Sequence, residues 1–165
     1  HLHPNMFMEA LTGAYLPKNL TYTTYWKDRR VGYIAASDIA AVAAQVLVDG
    51  PERHAGKDYW LSVESHNGQD IAQLMSKVTG LEIKCEEKGL EEFKELIEDW
   101  IAGGADKWYA SANIEFVKQM LDGRMSYMSM VQNDIPYILG RPAKTVEEFL
   151  IENRELLVAS ATGKA

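Results

Sequence analysis

Tyr22, Trp26, Tyr33 and Trp60 are the residues whose types and spacing best suggest a ligand pocket, with flat rings to stack on a small molecule and polar atoms at their edges. The same rings serve equally well as a cap on one end of a core. No acid, base or nucleophile stands out beside them. The Tyr-x-x-x-Lys pair of standard dehydrogenases needs the two residues four apart on one helix face, and no tyrosine here has lysine at that offset. His54 and His66 lie far apart beside strands, without the HxxxH or HExxH spacing that would put two imidazoles on one metal, so no metal site is expected. There is no GxSxG elbow to present a serine nucleophile. Cys85 alternates inward on a short strand with no cationic neighbour in sequence to generate a thiolate, and reads as a small core residue. The acidic run from Glu86 to Glu98 carries interspersed lysines and reads as a solvated helix face, not as paired catalytic carboxylates.

Bulk properties bound the possibilities. A chain of 165 residues, 47% hydrophobic and 25% charged, fits one domain with a real core, expected over 1–158 with a frayed tail at 159–165. A net charge of −7 and a pI near 5.1 argue against nucleic acid or an anionic membrane as partner. A single cysteine suits a reducing, cytoplasmic setting. No apolar run approaches a membrane span, and the N-terminus lacks the features of a signal peptide. The chain opens at His1, without an initiator methionine, in a segment already committed to structure, and is expected to be a piece of a larger architecture.

The elements that must position any site read as helix-rich α/β. The centre is VGYIAASDIAAVAAQVL, residues 31–47, a strand apolar or small at almost every position that turns through Ser37 and Asp38 into an amphipathic helix. Asp38 is placed to cap that helix. Residues 4–11, PNMFMEAL, predict a short helix, and TYTTYW a short strand in the aromatic loop region. GPERHAG reads as a turn into a strand over 57–63. Asn67 with Asp70 and a closing Gly80 bounds a helix with Ile71, Leu74, Met75 and Val78 inward. Leu81–Glu86 alternates as an edge or half-buried strand. Two helices follow, over about 90–101 and 106–121, the second with Trp108, Ala112, Phe116 and Met120 inward. Residues 133–142 read as a compact connection, and Thr145 with Glu148 caps a last helix striped by Val146, Phe149, Leu150 and Leu157. The total is a few-stranded sheet with about five to six helices.

In order, HPNMFMEAL, VGYIAASDIAAVAAQVL, GKDYWLSVES, DIAQLMSKVTG and LGRPAKTVEEFL resemble the C-terminal half of NmrA-like proteins, the atypical short-chain dehydrogenase relatives that bind NAD(P). The resemblance covers nearly all of residues 4–152, and SDIAAVAA and GRPAKTVEEF are its most specific parts. It implies that Asn5, Phe7 and Met8 wall the nicotinamide and substrate pocket. The family's Gly-rich phosphate loop lies in an N-terminal half, and no GxxGxxG or GxGxxG arrangement occurs in this chain.

Without that glycine turn, no tight NAD(P) binding is expected from the chain alone; the cofactor would require the missing Rossmann half. Two functions are expected to compete. One is the small-molecule-binding C-terminal domain of an NmrA-like oxidoreductase or cofactor-sensing regulator. The other is a free-standing binding or interaction module without redox chemistry, derived from a truncated or mobile gene. An isolated enzyme built around Tyr22, Trp26, Tyr33 and Trp60 is a lesser alternative. Because the 31–36 strand and two helix faces are shaped for neighbours, a homo-oligomer, or a complex with the missing half, is expected.

Overall fold

The computed structural model describes residues 1–164. The first segment corrects the expected helix over 4–11. It is β1 (Leu2–Pro4) followed by β2 (Met6–Phe7), with a 3₁₀ turn at Met8–Thr12. Pro4 in a first turn would be compatible with a helix, but Tyr59–Leu61 and Tyr33–Ile34 offer Leu2–Pro4 and Met6–Phe7 parallel ladders, and the residue before a proline is biased to extended backbone. β3 (Thr21–Thr24) forms where TYTTYW predicts it. β4 (Val31–Ile34) is buried at all four positions, as a strand covered on both faces must be. It leads into α1 (Ala36–Asp49), whose N-cap is Ala35, so the expected turn residues Ser37 and Asp38 already lie in the first helical turn.

The expected turn at 50–56 contains a single helical turn, α2 (Pro51–His54), with Pro51 at the first position, where its missing N–H costs nothing. The strand expected over 57–63 is only β5 (Tyr59–Leu61), and the chain then folds back as β6 (Glu64–His66), an element the composition of ESH does not announce. α3 (Gly68–Thr79) has the expected Asn67–Asp70 capping box, and Gly80 ends it in the left-handed conformation at φ 76°. β7 (Lys84–Glu87) keeps the predicted alternation, with Ile83 buried and Cys85 half-buried.

α4 (Leu90–Ala102) forms where a helix is expected over about 90–101, and it buries Phe93 and Ile97. α5 (Lys107–Asp122) corrects its predicted stripe. The buried positions are Ala110, Val117 and Met120, while Trp108 is 80% exposed. A strict spacing of four drifts around a helix of 3.6 residues per turn, so the predicted row slides off the buried face. Ser126–Ser129 is a 3₁₀ turn. The expected connection at 133–142 holds α6 (Asp134–Leu139), in which Pro136 sits in the first turn, where proline is tolerated, and Gly140 closes the end at φ 64°. The last helix divides at Asn153 into α7 (Val146–Glu152), with the Thr145–Glu148 box, and α8 (Arg154–Ala161). α8 carries order beyond the expected start of fraying at 159, and Ala161 is buried. Among the described residues eight α-helices therefore stand where about five to six helices are expected. Among the described residues no helix is long and apolar enough to cross a membrane.

The strands form three short sheets. β1 pairs β5 in parallel; β2 pairs β4 in parallel and β4 pairs β6 antiparallel; β3 pairs β7 in parallel. Between β1 and β2 the chain changes partner at Asn5, whose backbone N–H donates to the Leu61 carbonyl at 3.1 Å. The main core joins Met8, Tyr22, Trp26 and Tyr33 to α3, α4, α5, α7 and α8. A smaller core of Ile34, Val42, Tyr59, Leu61, Ile135 and Ile138 binds α1 and α6 to β4 and β5.

Candidate functional site

β1 and β5 run in register and end together at Pro4 and Leu61. The residues immediately beyond β5, Ser62 to Glu64, form one wall of a cavity of about 610 Å³, a volume suited to a small organic molecule. The approach to α6, from Val131 to Pro136, and the α6–α7 connection, from Gly140 to Thr145, contribute the other walls. The carboxyl end of parallel strands is where α/β sheets hold ligands, because the chain turns away there and leaves a crevice.

Of the residues that line the cavity, only Glu64 and Arg141 are charged. Glu64 Oε2 accepts from Val146 N at 2.7 Å and lies 3.6 Å from His66 Nε2. The His66 imidazole beside it and the Val146 N–H hold the Glu64 carboxyl below its usual range, against the opposing effect of burial. Arg141 donates through Nη2 to Asp38 Oδ1 at 2.8 Å and through Nη1 to the Pro142 carbonyl at 2.9 Å. Asp38, 2% exposed, also accepts from Lys144 N at 2.7 Å. Asp38 is thus no helix cap. It ties α1 to the connection that walls the cavity, and the start of α1 is served instead by Glu9, whose Oε1 accepts from Ala36 N at 3.0 Å.

The sequence-predicted residues are distributed differently. None of the seven lines this cavity. Tyr22, Trp26 and Tyr33 are core residues no more than 1% exposed, so their rings pack against protein and not against solvent or ligand. Burial pushes the Tyr22 and Tyr33 phenols well above their ordinary range, and neither offers a phenolate near neutral pH. Trp60 is at the surface, stacked on His3 with ring centres 4.5 Å apart. Met8 is in the core and Phe7 is 45% exposed. Asn5 donates through Nδ2 to the carbonyls of Met128 (3.1 Å) and Met130 (3.4 Å), in the segment leading into Val131.

His54 accepts and donates within the fold, between Tyr59 Oη at 2.7 Å and Asp49 at 3.1 Å. His66 faces Glu64 and Asp70. Among the described residues no group of three or more metal-ligating side chains converges. Burial, with Glu87 adding repulsion, pushes the Cys85 thiol up to about 11. Cys85 is therefore expected to alkylate with iodoacetamide at neutral pH between roughly ten- and a hundredfold more slowly than a free cysteine peptide. Alkylation at the rate of the free peptide would contradict that assignment.

Each strand-to-helix turn is closed by a carboxylate of the chain. Glu9 meets Ala36 N at α1, Asp70 meets Asn67 N at α3 (3.3 Å), and Glu92 meets Gly89 N at α4 (3.0 Å). A pyrophosphate at any of these helix starts would meet negative charge where a dinucleotide site needs free N–H groups.

The fold has solved counterparts. A nucleoside-diphosphate-sugar epimerase from Staphylococcus aureus matches at a TM-score of 0.73 and 25% identity, over 91% of this chain and 50% of that one. The Citrobacter sp. triphenylmethane reductase complexed with NADP(H) matches at 0.64 and 20% identity, over 89% and 47%. The Escherichia coli NADPH-dependent quinone oxidoreductase complexed with NADPH matches at 0.68 and 17%, over 90% and 51%. This chain has half their fold. It spans about half the length of the solved structures it matches, as a helix-rich α/β unit with short sheets. No protein-family model and no curated protein matches it.

The sequence reading missed Ser62, Glu64, Asn133 and Arg141 as cavity residues. The GRPAKT segment flagged Arg141 and Thr145 only as part of a resemblance. The pairing of Arg141 with Asp38 joins residues 103 apart and has no local signature.

Proposed function

We propose that this chain is the C-terminal, small-molecule-binding part of an NmrA-like NAD(P)-dependent oxidoreductase or cofactor-sensing regulator, working in a cytoplasmic setting with a Gly-rich nucleotide-binding half. The observation that carries this reading is the cavity beyond the carboxyl ends of β1 and β5, in a fold shared with half of two proteins solved with NADP(H) or NADPH. The residues here do not fit the dinucleotide's phosphates, because the three strand-to-helix turns are already closed by Glu9, Asp70 and Glu92. The chain's own part is to bind and orient the second ligand through the cavity walls that Asn133 and Thr145 line, with Asp38 and Asn5 holding those walls. Calorimetric titration with NADPH is expected to show no binding tighter than millimolar by the chain alone, and micromolar binding once an NmrA-like nucleotide-binding half is supplied. Micromolar binding by the chain alone would overturn the assignment.

Exposed apolar side chains favour a second reading, an oligomeric binding module without redox activity. Leu47 and Val48 on α1 are 81% and 80% exposed, and Trp108 on α5 is equally open. Sedimentation at micromolar concentration separates the two, since a discrete oligomer that ignores the nucleotide-binding half supports the second.

A further inference from the structure

The cavity wall carries two charged side chains, and the fold treats them differently. Arg141 is already paired, with Nη2 2.8 Å from Oδ1 of the buried Asp38. Glu64 has no lysine or arginine at ion-pair distance among the described residues; its ionisable neighbour is His66. The Glu64 carboxylate reaches from the start of β6 to the start of α7, where Oε2 accepts from Val146 N at 2.7 Å, and so sits beside Thr145, which lines another wall of the same cavity. That bond and His66 both fall on Oε2. Oε1 accepts no hydrogen bond among the described residues, and the side chain is 34% exposed. The His66 imidazole and the Val146 N–H hold the carboxyl below its usual range, so it is ionised at neutral pH. A backbone N–H brings only a dipole, and a neutral imidazole leaves the charge whole. An ionised carboxylate with one bare oxygen in a half-dry wall attracts a cation, repels an anion, and offers an ammonium a charge-assisted hydrogen bond. Around it Val63, Val131, Ile135, Pro136 and Pro142 supply apolar surface.

We infer that the cavity takes an organic cation, an ammonium group on an apolar body, with the ammonium at Glu64 Oε1. This rests on the cavity being the small-molecule site proposed above, and it names the class of ligand that the site admits. Glu64 is then a binding residue as well as the tie between β6 and α7.

Two-dimensional amide NMR of the chain tests it with three probes on one ring: benzylammonium, benzyl alcohol and benzoate. The titrations are run at about pH 8, above the ordinary range of an imidazole. Benzylammonium is expected to shift the amides of Glu64, Thr145 and Val146 and to bind roughly fivefold more tightly than benzyl alcohol, with benzoate weakest. Glu64→Gln keeps an oxygen for the Val146 N–H and removes the charge. It is expected to bring benzylammonium down to the affinity of benzyl alcohol, and to leave the alcohol within roughly twofold of its parent value. Should that variant fail to fold, the parent chain still decides, because added salt must erase the preference for the cation and spare the alcohol. Equal binding of cation and alcohol by the parent, a preference for benzoate, or a folded Glu64→Gln variant that binds benzylammonium undiminished would overturn the inference and leave the cavity as a small-molecule site. No shift at the cavity with any probe would remove both. NADPH binding by the chain alone would defeat the nucleotide assignment and leave the order of the three probes standing.

Discussion

Gly32→Ala is expected to destabilise the protein by about 2–4 kcal/mol, more than most single-methyl additions. A Cβ at this position would lie 2.1 Å from Ser62 Oγ, 2.6 Å from Asn5 Nδ2 and 3.1 Å from the Met128 carbonyl. The cost is one of space, since β4 holds Gly32 in ordinary strand conformation. Two short side chains and a backbone oxygen surround it, so relief requires moving the junction between β1 and β2 or the 126–129 turn. Either movement breaks the hold of Asn5 on Met128 and Met130 and opens the cavity wall. Urea denaturation measures the loss, and the double variant Gly32→Ala/Ser62→Ala tests its cause. Removing Ser62 Oγ removes the closest clash, so the pair is expected to recover roughly 1 kcal/mol relative to the sum of the single changes. Strict additivity would show that the crowding described here does not control stability.

Asp38→Ala is the second large effect, expected at about 2–4 kcal/mol. Asp38 is almost wholly buried and accepts two bonds from the α6–α7 connection, through Arg141 Nη2 and Lys144 N. Truncation leaves the Lys144 N–H without an acceptor, while the half-exposed Arg141 retains water on its open side. Asp38→Asn keeps an acceptor oxygen and is expected to lose roughly half as much. The same urea titrations check both. An Asp38→Ala midpoint equal to that of the parent would remove this tie from the account.

How far these features are legible in the sequence depends on the range of the interactions that make them. α3 is readable because its determinants are local: Asn67, Asp70, an apolar stripe and Gly80 all act within one helix. β4 is readable because burial on both faces demands apolar or small residues throughout. The β1–β2 segment is misread because Met6, Phe7, Ala10 and Leu11 also suit a helix, and the deciding partners, β4 and β5, are far along the chain. The cavity is not legible for the same reason. Aromatic rings in Tyr22, Trp26 and Tyr33 advertise either a ligand pocket or a core, and only burial distinguishes them. Ser62, by contrast, is an ordinary serine until its place beyond β5 and its missing partner are seen. Asp38 suits a cap by position, yet Glu9 reaches the start of α1 from another segment and frees Asp38 for Arg141.

Among the described residues no strand pairs with the strand next to it in the chain. Leu2 finds Tyr59, Met6 finds Tyr33, Val31 finds His66 and Thr24 finds Glu87. No hairpin joins two successive strands to nucleate these sheets, and each ladder must close a long loop before it gains a hydrogen bond. The α4–α5 pair is contiguous and packs on itself, so it has the shortest route to early structure. Refolding should therefore run from helices to strands, on the slow side for a chain of this length. During synthesis the β1–β5 ladder cannot form until Tyr59–Leu61 has left the ribosome.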